Sequence, residues 1–177
     1  MARDGGAIGA AADLAADLVL ISEAPLSHET AVAFVTRDSC GAIATFLGIT
    51  RDNFGGKRVS QLSYEAYEPM ALKEMGRICA TARARWGIER AAVLHRIGDV
   101  PVGGASVIIA MASPHRKDAL DACAWAIDEL KAKVPIWKKE VYVEGNPTWK
   151  ENAEWAAPTR AANDPASSAA ETGPASS

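Results

Sequence analysis

Five basic side chains stand where this sequence could grip an anion. Arg51 follows an apolar run and enters a polar, Gly-containing segment, Asp52 to Gly56. His115 and Arg116 follow a second apolar run and open an amphipathic one, Lys131 lies near the end of that stretch, and Lys138 falls just beyond it in IWKKE. Loop edges and strand-to-helix junctions are where sheet proteins carry binding groups. A helix N-terminus adds unpaired backbone N–H groups and partial positive charge, and an arginine adds a planar fork matched to two phosphate oxygens. His115 and Arg116, with that helix end, are therefore candidates to hold a phosphate. Taken singly, each of these charges also fits a solvated surface position.

Lys131 is four residues after Ile127 and one after Leu130, so it borders the apolar stripe of its helix rather than opposing it. A lysine there can simply run its methylenes along the core and keep its ammonium in water. Desolvation and neighbouring cations, however, lower a lysine's pKa and make it a usable acid or base near neutrality. On a strand, Lys138 points opposite to Trp137 and Lys139. One of the two adjacent lysines can face a site while the other faces solvent, and the sequence leaves open which does.

Other chemistries find little support. Cys79 and Cys123 fall on apolar helical stripes, where a thiol behaves as a small hydrophobe, and Cys40 has no base near it in the sequence. The three cysteines form no CxxC pair and none lies near a histidine at zinc-ligand spacing. His28 and His95 have no obvious partners, and His95 reads as a satisfied structural group within a strand. There is no phosphate-binding Walker loop, nucleophile elbow or dinucleotide fingerprint. Trp137 and Trp149 flank the basic region, where they could stack on a flat ring, although core packing also accounts for them.

The 177 residues suit one domain with a packed core, since 49% are hydrophobic and 23% charged. A net charge of −3 argues against a broadly basic nucleic-acid binder, so any cationic function must be local. The odd, sparse cysteine count suits a reducing cytosol. No apolar run approaches the ~20 residues needed to span a bilayer, and the Ala-rich start is interrupted by Asp4, Asp13 and Asp17, unlike a secretory signal. These features predict a cytoplasmic protein without membrane contact. Residues 1–16 and 157–177 read as disordered Ala-, Gly-, Ser- and Pro-rich tails around a domain over 17–156.

Within that domain, Leu18–Ile21 reads as an edge strand and Ser27 as the cap of a helix running to about Asp38. Gly41–Thr50 and the alternating Val59–Tyr67 read as strands. Pro69 suits the first turn of a helix with a stripe of Leu72, Met75, Cys79, Ala82 and Trp86, ended by Gly87. Strands follow at Ala91–Ile97 and Ser106–Ala112, joined by a turn over Asp99–Gly104. A second helix after Pro114 carries a stripe of Leu120, Cys123, Ile127, Leu130 and Val134, is stopped by Pro135, and leads to a last strand, Trp137–Val143. Two amphipathic helices over one face of a largely antiparallel sheet would bury both stripes. The order from Val59 onward alone suggests a ferredoxin-like α+β core.

Taken together, GAIATFLGITRDNFGGKRV, LSYEAYEPMA, HRIGDVPVGGASVIIA, SPHRKDAL and LKAKVPIWKKEVYVEGNPTWK resemble the molybdopterin synthase large-subunit family over about Gly41 to Trp149. The resemblance implies an α+β fold of the α/β-hammerhead type, with antiparallel and mixed sheet. It implies a sulfurtransferase that converts a cyclic pyranopterin monophosphate (precursor Z) to molybdopterin, in molybdenum cofactor biosynthesis. Sulfur would arrive as a thiocarboxylate on the C-terminal Gly-Gly of a small ubiquitin-like subunit. The large subunit would form the homodimeric core of a heterotetramer, with no resident cofactor or metal. The family's substrate-binding positions fall on Arg51, His115, Arg116, Lys131 and Lys138, and its two catalytic lysines on Lys131 and Lys138. A methionine that some members carry one turn before the first lysine is Ile127 here. Two rival readings are a non-catalytic dimer that only docks the small partner, and a phosphate- or RNA-binding module. The second lacks both a broad basic surface and an aromatic RNA-binding motif.

Overall fold

The computed structural model describes residues 17–143 and a short strand at 148–150. The expectations for the two tails lie outside the described residues. In chain order the elements are β1 (Asp17–Ser22), α1 (His28–Val35), β2 (Ala42–Ile49), β3 (Asn53–Phe54), β4 (Lys57–Ala66) and α2 (Glu68–Trp86). There follow β5 (Arg90–Arg96), β6 (Gly98–Pro101), β7 (Ala105–Ser113), α3 (Arg116–Lys133), β8 (Ile136–Tyr142) and β9 (Thr148–Lys150).

The strands form two sheets. One has the order β1-β5-β7-β2, antiparallel except that edge strand β1 runs parallel to β5. The other has the order β3-β4-β8-β9, with β6 also paired to β4. The α+β class is as the sequence implies, but the ferredoxin-like connectivity is not. In that arrangement β4 would sit beside β7 in a single sheet. Here β2 takes that place, and β4 pairs with β8 in the second sheet. Residues 99–101 of the expected turn belong to strand β6, and the chain turns just after it at Gly103, with φ 79°.

Local chemistry accounts for the element ends. The Ser27 hydroxyl accepts from the Thr30 N–H at 3.1 Å and caps α1. Pro69 lies in the first turn of α2, where its missing N–H leaves no helical bond unmade. Gly87 closes α2 in the left-handed region, φ 61°, with its N–H on the Arg83 carbonyl.

Alternate residues of β5 and β7 enter two different cores. Ala91, Val93, Val107, Ile109 and Met111 pack under α2 and α3. Ala92, Leu94, Ile108, Ala110 and Ala112 pack under α1, against Ala31 and Val35. This period-two division buries both faces of the first sheet. The expected stripes are buried at Met75, Cys79 and Ala82 of α2 and at Cys123, Ile127, Leu130 and, just past α3, Val134, but not at their N-terminal ends. Leu72 and Leu120 are exposed, while Ala71, Ala119, Ala122 and Ala126 are buried. Small residues on these faces let α2 and α3 lie close to each other and to the sheet.

Candidate functional site

The two sheets meet around a cavity of about 530 Å³, within the range of small-molecule sites. β2 contributes Phe46 to Ile49, β4 contributes Val59, Leu62 and Tyr64, and β8 contributes Ile136, Lys138 and Glu140. His95 of β5 and Ser106 of β7 line it from the first sheet, and α3 closes one side with Ile127, Leu130 and Lys131. The walls are largely apolar and polar groups from several elements converge within them.

Arg51 reaches this cavity because the segment after β2 is pinned. The Thr50 N–H donates to the Gly104 carbonyl at 3.0 Å, the Gly103 N–H donates back to Thr50 at 2.9 Å, and the Val59 N–H donates to Asp52 at 2.8 Å. The Arg51 guanidinium lies 6.0 Å from the Phe54 ring centre, and both line the cavity. Beside them β2 shifts register at Gly48, where a Cβ would come within 2.6 Å of Val107 Cγ1. A side chain at Gly48 would push the two strands apart at the cavity wall.

Lys138 pairs with Tyr64 across β4 and β8, and both line the cavity. Strand alternation thus resolves the choice left open between Lys138 and Lys139: Lys138 is the one at the cavity. Lys131, on the last turn of α3, is half-buried on the same cavity. Two residues beyond Lys138, Glu140 is buried and accepts a hydrogen bond from the Tyr142 hydroxyl. Sequence reasoning missed Glu140, yet its i+2 relation to Lys138 on an alternating strand was the available signal. Burial pushes the Tyr64 phenol above its ordinary pKa and the His95 imidazole down to about 4.

His115 and Arg116 are elsewhere. His115 is the cap residue of α3, Arg116 its first residue, and both are exposed and outside the cavity lining. Lys131 is 15 residue steps after Arg116, which puts them roughly 22 Å apart along the helix. One chain therefore gathers Arg51, Lys131 and Lys138 and leaves the His-Arg pair at the far end of α3.

The cysteines follow the packing reading. Cys79 and Cys123 are buried, and burial pushes their thiols up to about 12 and about 11. Such thiols are poor nucleophiles. The half-buried Trp86 and Trp125 rings pack together at 5.3 Å, with the Arg85 guanidinium over both. Among the described residues no helix is long and apolar enough to cross a membrane.

An α+β domain with a cavity lined by one arginine and two lysines from separate elements has the form of a small-molecule site with a cationic lining. Residues 21–133 match the family model described as MoaE protein, and the chain belongs to that family. A molybdopterin synthase catalytic subunit of Arabidopsis thaliana is 58% identical over 124 residues, which cover 70% of this chain and 62% of the relative. The Homo sapiens protein of the same name is 50% identical over 142 residues, covering 79% of this chain and 75% of the relative. The crystal structure of molybdopterin synthase from Staphylococcus aureus superposes with a TM-score of 0.71 at 37% identity, covering 73% of this chain and 94% of that one. Its relatives place the chain in molybdopterin biosynthesis as a catalytic subunit.

Proposed function

We propose that this protein converts a cyclic pyranopterin monophosphate to molybdopterin, taking sulfur from the C-terminal thiocarboxylate of a small ubiquitin-like subunit. The observation that carries the reading is the convergence of Arg51, Lys131 and Lys138 from three separate segments on one cavity of about 530 Å³. The substrate is an anion, and in a walled, largely apolar site fixed cations act on it more strongly than they would in water. Because the partner supplies the sulfur, the reaction needs no nucleophilic cysteine from this chain, consistent with its buried, high-pKa Cys79 and Cys123.

Arg51 binds the phosphate and stabilises charge as the cyclic ester opens. Lys131, where α3 meets the cavity, contacts the thiocarboxylate tail or the pterin and carries protons. Lys138 serves as general acid or base during sulfur attack and loss of water. The phosphate role assigned to His115 and Arg116 needs a second copy of the chain, because neither lines the cavity of its own. In a homodimer the exposed N-terminal end of α3 on one protomer would complete the cavity of the other, with a small subunit bound to each protomer in a heterotetramer. A cytoplasmic setting agrees with the three free thiols.

The test is reconstitution. Mixing the purified chain with a thiocarboxylated small subunit and the cyclic pterin monophosphate should yield the dithiolene product. No product from a folded chain would refute the reading.

A further inference from the structure

The cavity's cations can only donate hydrogen bonds, whereas a pterin also presents N–H and O–H donors that need acceptors. Glu140 is one acceptor, and it already receives the Tyr142 hydroxyl. His95 is another. It lies near the end of β5, only 4% exposed, and lines the cavity with Lys131 and Lys138. Its Nδ1 is 2.8 Å from the Arg96 carbonyl oxygen. A carbonyl only accepts, so Nδ1 carries the proton and Nε2 holds a lone pair. The Tyr64 ring stands edge-on to the imidazole, with centroids 5.1 Å apart and planes at 73°, and holds its orientation.

Among the described residues no side-chain nitrogen or oxygen sealed from solvent lacks a hydrogen-bond partner. His95 makes its ring hydrogen bond through Nδ1. Nε2, without one, is therefore not sealed, and the space His95 lines is the cavity. Burial, which holds the imidazole's pKa near 4, keeps this acceptor neutral through the physiological range. The result is a fixed, uncharged acceptor in a site otherwise rich in cationic donors.

We infer that His95 Nε2 accepts a hydrogen bond from an N–H or O–H group of the pterin substrate, which makes His95 a specificity-determining residue of this site. The inference rests on the function proposed above. A flat ring without a donor at that position would leave a desolvated acceptor unpaired, and the site would discriminate against it.

Two substitutions separate this role from a structural one. In His95→Asn the side-chain amide can still donate to the Arg96 carbonyl from near the Nδ1 position, but nothing remains near Nε2. In His95→Gln the amide oxygen reaches the Nε2 region while the Nδ1 donor is lost. Affinity for the cyclic pterin monophosphate and kcat/KM for dithiolene formation should be at least about tenfold lower in the Asn variant than in the Gln variant. Equal values, or the reverse order, would overturn the inference. If either variant fails to fold, nitrogen-15 histidine spectra of the wild-type chain decide. Adding the cyclic pterin monophosphate should move the Nε2 resonance and leave Nδ1 protonated, and an unmoved Nε2 would overturn the inference. A wild-type chain that makes no dithiolene refutes the function itself, whereas normal wild-type turnover with equal variants refutes only the role of His95.

Discussion

The two sheets are built for different tasks. In β5 and β7 nearly every position is buried, and alternate residues serve cores on opposite faces. In β4 and β8 exposure is mixed, and the residues turned toward the cavity include Tyr64, Lys138 and Glu140. The first sheet, covered by helices on both sides, is a rigid support with almost no room for chemistry. The second needs burial on one face only and can spend its other positions on polar groups. The lesson is that stability and activity should separate under mutation. His95 is the instructive exception within β5: like Ser106 of β7, it belongs to the buried sheet yet lines the cavity.

The sharpest way to break this division is to remove a cavity lysine. Lys131→Ala and Lys138→Ala should each lower dithiolene formation by about 10²-fold or more, as loss of an acid–base group does. Thermal melting should stay near wild type, since neither lysine is in a hydrophobic core. A large drop in melting temperature would mean that the second sheet is structural too.

The reciprocal change lies in the first sheet. Ile109 is fully buried between β5 and β2. Ile109→Ala should cost about 2–5 kcal/mol in denaturant unfolding, from lost transfer energy and the cavity left behind. Turnover per folded molecule should remain near normal.

A pH series probes the exception. The pKa of His95 is lowered on folding from 6.5 to about 4, so between those values the unfolded chain binds the extra proton. Its stabilisation is present above pH 6.5 and is lost as pH falls toward 4, by up to about 3 kcal/mol. Wild type should therefore lose more stability than His95→Gln over that window, and subtracting the two curves removes the carboxylates, Glu140 included. Parallel curves would mean that the imidazole is not held neutral.

The smallest effect, about twofold, concerns the two ends of α3. Mixed dimers of Lys131→Ala and Arg116→Ala chains should recover about half the wild-type activity, because one of two shared sites is intact. If Arg116 served its own chain's cavity, both sites would be damaged and no recovery would be seen.

Much of this was legible in the sequence. Turn residues and periodicity placed the main strands and helices, because Ser27, Pro69, Gly87 and Pro135 act locally on the backbone. Pairing was not legible, since β4 could satisfy its alternating pattern beside β7 or beside β8. The helix stripes were legible at Met75, Cys79, Ala82, Cys123, Ile127, Leu130 and Val134 and misread at Leu72 and Leu120. Large residues such as Leu72 and Leu120 dominate a hydrophobicity pattern, but close packing selected the alanines. Arg51, Lys131 and Lys138 stood out by their places at element ends, the family resemblance gave them roles, and their convergence needed the fold. His95 looked like a satisfied strand residue because one of its nitrogens is satisfied, and only the cavity draws attention to the other.

Calorimetric titration of the chain with the cyclic pterin monophosphate, without the sulfur-carrying partner, asks directly whether the cavity receives this substrate. The account predicts one site per chain, with affinity strongly reduced in both Lys131→Ala and Lys138→Ala. Absence of binding, or binding unchanged by both substitutions, would contradict it.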